Sequence, residues 1–124
     1  MLKLNGVNFG PIFGATGARG FCGEGYPFHQ YWKHLGMDWS QTGFSGKTLT
    51  LLPCQGNMPL ESDGVTPEER FPRCIVVGFG NNGWMLNAVG LSNSGAEFYL
   101  KSGEYHKIQK PFFLSIKCMA KDRS

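Results

Sequence analysis

The chain has 124 residues, with 12 Lys and Arg against 9 Asp and Glu, so its formal net charge is +3. This length suits a single domain, and the ordinary apolar content and small charge argue against a disordered chain or a polyanion-binding tail. No apolar run approaches the roughly 18 residues of a membrane span, and the N-terminus lacks a signal-peptide core, so we expect a cytoplasmic protein that does not bind a membrane.

The first half of the chain predicts a strand, a loop, a helix and a second strand. Residues 11–17 form a short apolar run that ends in Ala-Thr-Gly, whose small side chains leave backbone N–H groups open to a ligand. Residues 26–36 carry apolar side chains at i, i+3, i+4 and i+7, which indicates a helix whose apolar face lies in the core. Residues 44–52 are β-branched and apolar, and they predict a strand that stops before Pro53.

One lysine, Lys47, lies near the start of the apolar run 44–52. A lysine within such a strand is costly unless its ammonium group is paired or reaches a cavity. Taken alone, the pattern favours an edge-strand lysine whose side chain extends to water.

The second half predicts a loop, a hairpin, a helix and a third strand. Residues 53–73 hold four of the seven prolines and indicate a long surface excursion. Two strand-like runs, at 73–79 and 84–89, flank Asn82-Gly83 and predict a β-hairpin. A short helix begins at 96–100, and residues 111–116 read as another buried strand. Apolar strands separated by helices favour parallel βα units.

The cysteines and basic residues carry little functional signal. Cys22, Cys54, Cys74 and Cys118 form no C-x-x-C pair, and the histidines have no complementary spacing, so we expect buried or half-buried free thiols and no metal site. The basic residues are scattered, without a patch that interleaves them with stacking aromatics. We therefore expect no nucleic-acid binding.

Four segments, in order, resemble the dihydroorotate dehydrogenase family. They are Pro11-Ile-Phe-Gly-Ala-Thr-Gly17, which is similar to the family's first strand; Gly46-Lys-Thr-Leu-Thr50 with its trailing Pro53 and Gly56-Asn57; Asn87-Ala-Val-Gly-Leu91 followed by Asn93-Ser-Gly95; and Lys110-Pro-Phe-Phe-Leu-Ser-Ile116. Together they cover most of residues 5–116.

The resemblance implies an α/β fold, namely the N-terminal part of an FMN-binding (β/α)₈ TIM barrel with a β-hairpin insertion. The implied function is oxidation of dihydroorotate to orotate in pyrimidine biosynthesis, with a small-molecule pyrimidine substrate and a homodimeric complete protein. A full barrel runs about 250 residues. We therefore expect residues 1–124 to be a truncated, partial barrel domain with the first three or so βα units, inactive by itself, whose catalytic base lies beyond Ser124.

The resemblance also assigns site residues. FMN would contact Ala15, Thr16, Gly17, Lys47, Thr48 and Ser115, of which Thr16 replaces the family's commoner serine and Ser115 stands where the family often has an asparagine. The pyrimidine would contact Lys47, Asn87, Ala88, Val89, Gly90 and Leu91. A fixed positive charge at Lys47 suits both a flavin that gains negative charge on reduction and a substrate carboxylate.

Three alternatives stay open at this point. The chain departs from the family pattern at Ser94, which replaces a proline, and in the segments 21–39 and 58–72. These departures suit a dihydropyrimidine dehydrogenase-like flavoenzyme that acts on a related pyrimidine. A non-catalytic half-barrel that serves as a binding or interaction module is the second alternative. For Asn87, the third alternative is an asparagine that caps its own turn.

Overall fold

The computed structural model describes residues 1–36, 38–80 and 82–118. Within these ranges the fold is mixed α/β, with small sheets and no closed barrel. The strands are β1 (Leu2–Leu4), β2 (Val7–Gly10), β3 (Ile12–Gly14), β4 (Thr42–Ser45), β5 (Ile75–Gly78), β6 (Trp84–Asn87) and β7 (Phe112–Phe113). The helices are α1 (His29–Lys33) and α2 (Ala96–Ser102), and a short 3₁₀ turn follows at Glu104–Lys107.

The three strands that the sequence assigns to βα units pair as one parallel sheet in the order β3-β4-β7. Beyond the ends of β4 and β7 the two segments stay in register. Gly46 N donates to the Phe113 carbonyl at 2.8 Å, and Leu49 N donates to the Ser115 carbonyl at 2.9 Å. The predicted parallel arrangement is therefore confirmed, although the strands are shorter than the apolar runs that predicted them.

Two antiparallel hairpins form separate two-stranded sheets. The predicted hairpin is confirmed as β5 paired with β6, in a register that places Val77 opposite Met85. The other hairpin, β1 paired with β2, was not anticipated. Its turn residues, Asn5 and Gly6, have φ values of 47° and 79°, which fits a turn with two left-handed central residues, and the Asn-Gly dipeptide is the signal that would have found it.

Aromatic side chains hold the elements together. Phe21 and Tyr99 are fully buried and stack at 4.8 Å between ring centroids, with Leu49 packed beside them. This cluster joins the loop after β3, the segment after β4 and helix α2. A second stack, Phe9 on Phe113 at 4.7 Å, covers one face of the parallel sheet.

The predicted helix 26–36 is wrong in its extent and in its environment. Helix α1 has only five residues, none of them buried, and Tyr31, Trp32 and Leu35 of the apolar stripe are exposed. A helix this short has little stability of its own, and its stripe borders an open groove rather than the core. Helix α2 begins at Ala96 as predicted, and Gly103 follows it with a φ of 72°, a left-handed conformation suited to glycine.

The buried character predicted for 111–116 is only partly correct. Phe112 is half-buried, whereas Phe113, Leu114 and Ile116 are exposed because β7 is the outer strand of the sheet. Likewise, only the first part of 44–52 is strand, and Leu51 and Leu52 are exposed. Among the described residues, no helix has the length and apolar character needed to cross a membrane.

Candidate functional site

The carboxyl ends of the parallel strands gather hydroxyl side chains at one edge of the sheet. Thr16, just after β3, donates from its hydroxyl to Ser45 Oγ at 3.2 Å. Thr48, after β4, shares a hydrogen bond of 2.9 Å with the hydroxyl of Ser115, after β7. Ligands of parallel α/β sheets bind at this edge, so the polar pairs lie where a site is expected.

Lys47 lies at the same edge and is only 7% exposed. Its ammonium group donates to the Ser92 carbonyl and stands 4.5 Å from the centroid of the Phe21 ring. It forms no ion pair with any residue that the structure describes. The pattern alone favours a lysine that extends to water, and the structure shows that this prediction is wrong. The buried ammonium group contacts a backbone carbonyl and an aromatic ring.

Burial lowers the pKa of Lys47 from its ordinary 10.5 to about 8, because desolvation disfavours the ammonium form. The nearby Cys74, Cys54 and Glu24 side chains act in the opposite direction and raise this pKa, without cancelling the effect of burial. The site thus holds a cation whose charge is poorly compensated. A bound anion would supply the missing compensation and raise this pKa again.

The Ala-Thr-Gly segment lies against Lys47. Gly17 has a φ of 75°, a left-handed conformation suited to glycine, and a Cβ added there would make an ordinary contact with Lys47 Cγ at 3.4 Å. Its N–H donates to the Ser45 carbonyl at 3.1 Å, which ties the Ala-Thr-Gly segment to the end of β4. On the other side, the N–H of Lys47 donates to the Gly20 carbonyl at 2.8 Å. Two backbone contacts thereby fix the position from which the Lys47 side chain projects.

The Ser92 carbonyl is held by a buried asparagine beside it. Asn93, 4% exposed, accepts from Gly95 N at 2.9 Å and donates to Thr50 Oγ1 at 2.9 Å and to the Leu91 carbonyl at 2.7 Å. Its backbone exchanges a pair of hydrogen bonds with Cys54. This network joins the loop after β6 to the segment after β4, and so brings Ser92 to Lys47.

The predicted FMN residues cluster, with different exposures. Lys47 is buried; Gly17, Thr48 and Ser115 are half-buried; Ala15 and Thr16 are exposed. All six follow a strand of the parallel sheet, and hydrogen bonds link Thr16 and Gly17 to Ser45 and Thr48 to Ser115. The sequence missed Ser45, which ends β4, and Ser92, which supplies the carbonyl for Lys47.

Of the predicted pyrimidine residues other than Lys47, none is among the hydrogen-bond partners of the Lys47 ammonium in the described part of the chain. Asn87 is exposed at the end of β6, and its side chain makes no hydrogen bond to a described residue, so it does not cap its turn either. Ala88 and Val89 offer carbonyls that Asn57 already occupies, at 2.7 and 2.9 Å. Leu91 adjoins Ser92 and takes a φ of 60°, unusual for a leucine.

The cysteines are free; Cys22, Cys54 and Cys74 are half-buried, as predicted, while Cys118 is exposed. In the described ranges, no cluster of three or more His, Cys, Asp or Glu side chains could hold a metal ion. Comparison with known proteins found no matching family model, no matching curated protein and no matching solved structure.

Proposed function

We propose that the carboxyl edge of the β3-β4-β7 sheet binds FMN, and that the chain belongs to a flavoenzyme that oxidises dihydroorotate to orotate. In this proposal β3, β4 and β7 correspond to the first three strands of a (β/α)₈ barrel, and the β5–β6 hairpin is an insertion between the second and third. Support comes from the consecutive parallel order of the strands and from the polar residues at their carboxyl ends.

The observation that carries the proposal is the buried ammonium of Lys47, which has no ion-pair partner among the residues that the structure describes. A buried charge is normally paired, and an apolar residue of similar volume would pack here at lower cost. A site that keeps a lysine in this position is explained by an anionic or electron-rich ligand. A flavin, which gains negative charge on reduction, and a pyrimidine that bears a carboxylate both meet this requirement.

The residues present fit such a ligand. Ala15 and Thr16 are exposed at the end of β3 and have small side chains, so a flat ring system can approach their backbone. The hydroxyls of Thr16 and Thr48 can donate to flavin carbonyl groups. The Lys47 ammonium has three N–H donors and can donate to the flavin and to the substrate. When bound, FMN supplies the hydride acceptor. In this proposal the described side chains bind and orient the flavin and the substrate, and none of them is assigned as the catalytic base.

The bonded carbonyls of Ala88 and Val89 favour one revision of the implied substrate site. Asn57 donates to both carbonyls and the Ser92 hydroxyl also donates to that of Val89, so these carbonyls already take part in the hydrogen bonding of the loop itself. Substrate recognition by this chain then depends on the Lys47 ammonium and on the exposed amide of Asn87. An amide can donate and accept, so it suits dihydroorotate and a related pyrimidine equally.

FMN titration of the purified chain tests the proposal. We expect saturable quenching of flavin fluorescence by the wild type and at least tenfold weaker binding by Lys47→Met, which keeps an unbranched side chain but loses the charge. Lys101→Met is the matched control, because Lys101 is exposed in an ion pair with Glu97 on α2. Absence of FMN binding by the wild type, or equal affinities of wild type and Lys47→Met, would refute the proposal.

A further inference from the structure

A tyrosine that is not among the predicted site residues holds the segment after β3. The hydroxyl of Tyr26, which is half-buried, donates to the Gly17 carbonyl at 3.0 Å. The N–H of Gly17 donates to the Ser45 carbonyl at the end of β4, so the peptide groups on both sides of this glycine are tied. Because Gly17 lies against the Lys47 side chain, Tyr26 fixes a residue of the candidate FMN site.

A histidine holds Tyr26 in turn. The Nδ1 atom of His29 accepts from the N–H of Tyr26 at 3.1 Å, while the N–H of His29 donates to the Tyr26 carbonyl at 2.9 Å. The bond to Nδ1 corresponds to one half of a capping box, in which a side chain three residues further on accepts from the N–H of the capping residue. In a capping box that side chain is Glu or Gln. Here it is a histidine, which can gain a proton just below neutral pH.

Only the neutral imidazole can make this hydrogen bond. A protonated histidine has N–H donors on both ring nitrogens, so two donors would face each other and would have to separate. The His29 ring has little room to turn, because the chain passes closely at Gly25, where an added Cβ would lie 2.9 Å from Nδ1. The centroids of the Phe28 and Trp39 rings are 4.6 and 5.4 Å from that of the imidazole. Protonation therefore displaces Tyr26.

The surroundings of the imidazole favour its neutral form. Burial, and after it the positive charge of Arg19 in the loop after β3, lowers the pKa of His29 below its ordinary 6.5. Lys33, one turn further along α1, is also basic. Of the carboxylates on the segments that pack against the ring, Glu24 accepts from two N–H groups of its own loop, and Asp38 accepts from the N–H two residues further on.

We propose that Tyr26 positions Gly17 for FMN, and that protonation of His29 releases Tyr26 and weakens flavin binding. This inference rests on the proposed function, because the site that His29 regulates is the FMN site. The neutral imidazole holds the Tyr26 backbone, and the Tyr26 hydroxyl holds the Gly17 carbonyl beside Lys47. Tyr26 is a positioning residue, since it acts on the flavin through Gly17.

FMN titration of the purified chain at intervals from pH 7.5 to 5 measures the coupling. We expect the dissociation constant of the wild type to increase about threefold to tenfold more than that of His29→Gln, which corresponds to the loss of one hydrogen bond. Glutamine keeps an acceptor for the Tyr26 N–H and does not titrate. Protonation of the FMN phosphate, and of Glu24, whose pKa desolvation raises, affects both proteins and cancels in the comparison.

Removal of the tyrosine hydroxyl tests the second bond of the chain. Tyr26→Phe keeps the ring but loses the donor to the Gly17 carbonyl, so FMN binding should be about threefold to tenfold weaker already at pH 7.5. Tyr31→Phe is the matched control, because the Tyr31 hydroxyl is exposed on α1 and accepts from Arg70. Its affinity for FMN should equal that of the wild type.

An NMR pH titration of the ligand-free chain separates this inference from the proposed function. The amide resonance of Gly17 should shift with the pKa of His29 in the wild type and lose this step in His29→Gln. Such a shift without any FMN binding would support the coupling of His29 to Gly17 and refute only the FMN assignment. Three results would overturn the inference: a Gly17 amide that does not follow His29, equal pH dependence of FMN binding in wild type and His29→Gln, or a Tyr26→Phe variant that binds FMN as tightly as the wild type.

Discussion

Replacing Lys47 by methionine should change how stability depends on pH. The folded state lowers the pKa of this ammonium to about 8, whereas the unfolded chain restores a value near 10.5. Between these two pH values the unfolded chain binds the proton and the folded protein does not. The free energy of unfolding contributed by Lys47 therefore rises as the pH increases from 8 to 10.5, and is constant below and above this window.

The size of the effect follows from the shift. A displacement of this size corresponds to about 3 kcal/mol, and partial solvation of the group reduces this to roughly 2–3 kcal/mol. At neutral pH the methionine variant avoids the cost of burying a charge, which stabilises the folded state by this amount. The same substitution leaves the Ser92 carbonyl without its donor, at a cost of about 1–3 kcal/mol. The two terms nearly cancel at neutral pH, so the slope with pH is the informative quantity.

Urea unfolding followed by tryptophan fluorescence at intervals from pH 7 to 10.5 measures this slope. The unfolding free energy of the wild type minus that of Lys47→Met should rise by roughly 2–3 kcal/mol across the series. Taking the difference removes the opposite contributions of Cys22 and Tyr26, whose pKa values burial raises to about 12. If this difference in unfolding free energy does not change with pH, or if Lys101→Met produces the same change, the conclusion that burial lowers the pKa of Lys47 is wrong.

Two further substitutions probe the loops that carry the site. Asn93→Ala should lower the free energy of unfolding by about 2–4 kcal/mol, because it leaves Thr50 and neighbouring backbone groups unsatisfied in the interior, whereas Asn8→Ala removes one exposed hydrogen bond and should have little effect. Gly56→Ala should lower the free energy of unfolding by about 1–3 kcal/mol more than Gly6→Ala does. Both glycines have positive φ, so the backbone strain is shared by the two variants. Only at position 56 would the new Cβ approach the Val89 carbonyl, to 2.5 Å. Chemical denaturation measures all four, and equal values within either pair would contradict the assigned contacts.

The sequence predicted correctly those elements whose turn or boundary residues lie next to them in the chain. Asn82-Gly83 between two apolar runs predicted the β5–β6 hairpin, and a glycine-bounded helical segment predicted the start of α2 at Ala96. The same reasoning failed for 26–36, since periodicity shows which side chains share a face but not what that face meets. In the folded chain the stripe borders an apolar groove between α1 and β5, and only the placement of α1 beside β5 decides this.

The candidate site divides in the same way. The chain alone predicts site residues after all three strands: the small residues after β3 and the lysine after β4 stand out in the local pattern, and the serine after β7 comes from the family resemblance. The parallel pairing that brings these three ends to one edge depends on contacts between distant segments. The sequence therefore also missed Ser92, whose carbonyl reaches Lys47 only because Asn93 holds the loop.

The sequence by itself determined the element types, the hairpin turns and the residue types available for a ligand, because each depends on a few neighbouring residues. Only the tertiary structure decided that Lys47 is buried with no carboxylate partner among the described residues, and that the apolar face of α1 stays in water. Burial and charge compensation are properties of segments distant in the chain. They arise when the β3-β4-β7 sheet and the 88–93 loop come together.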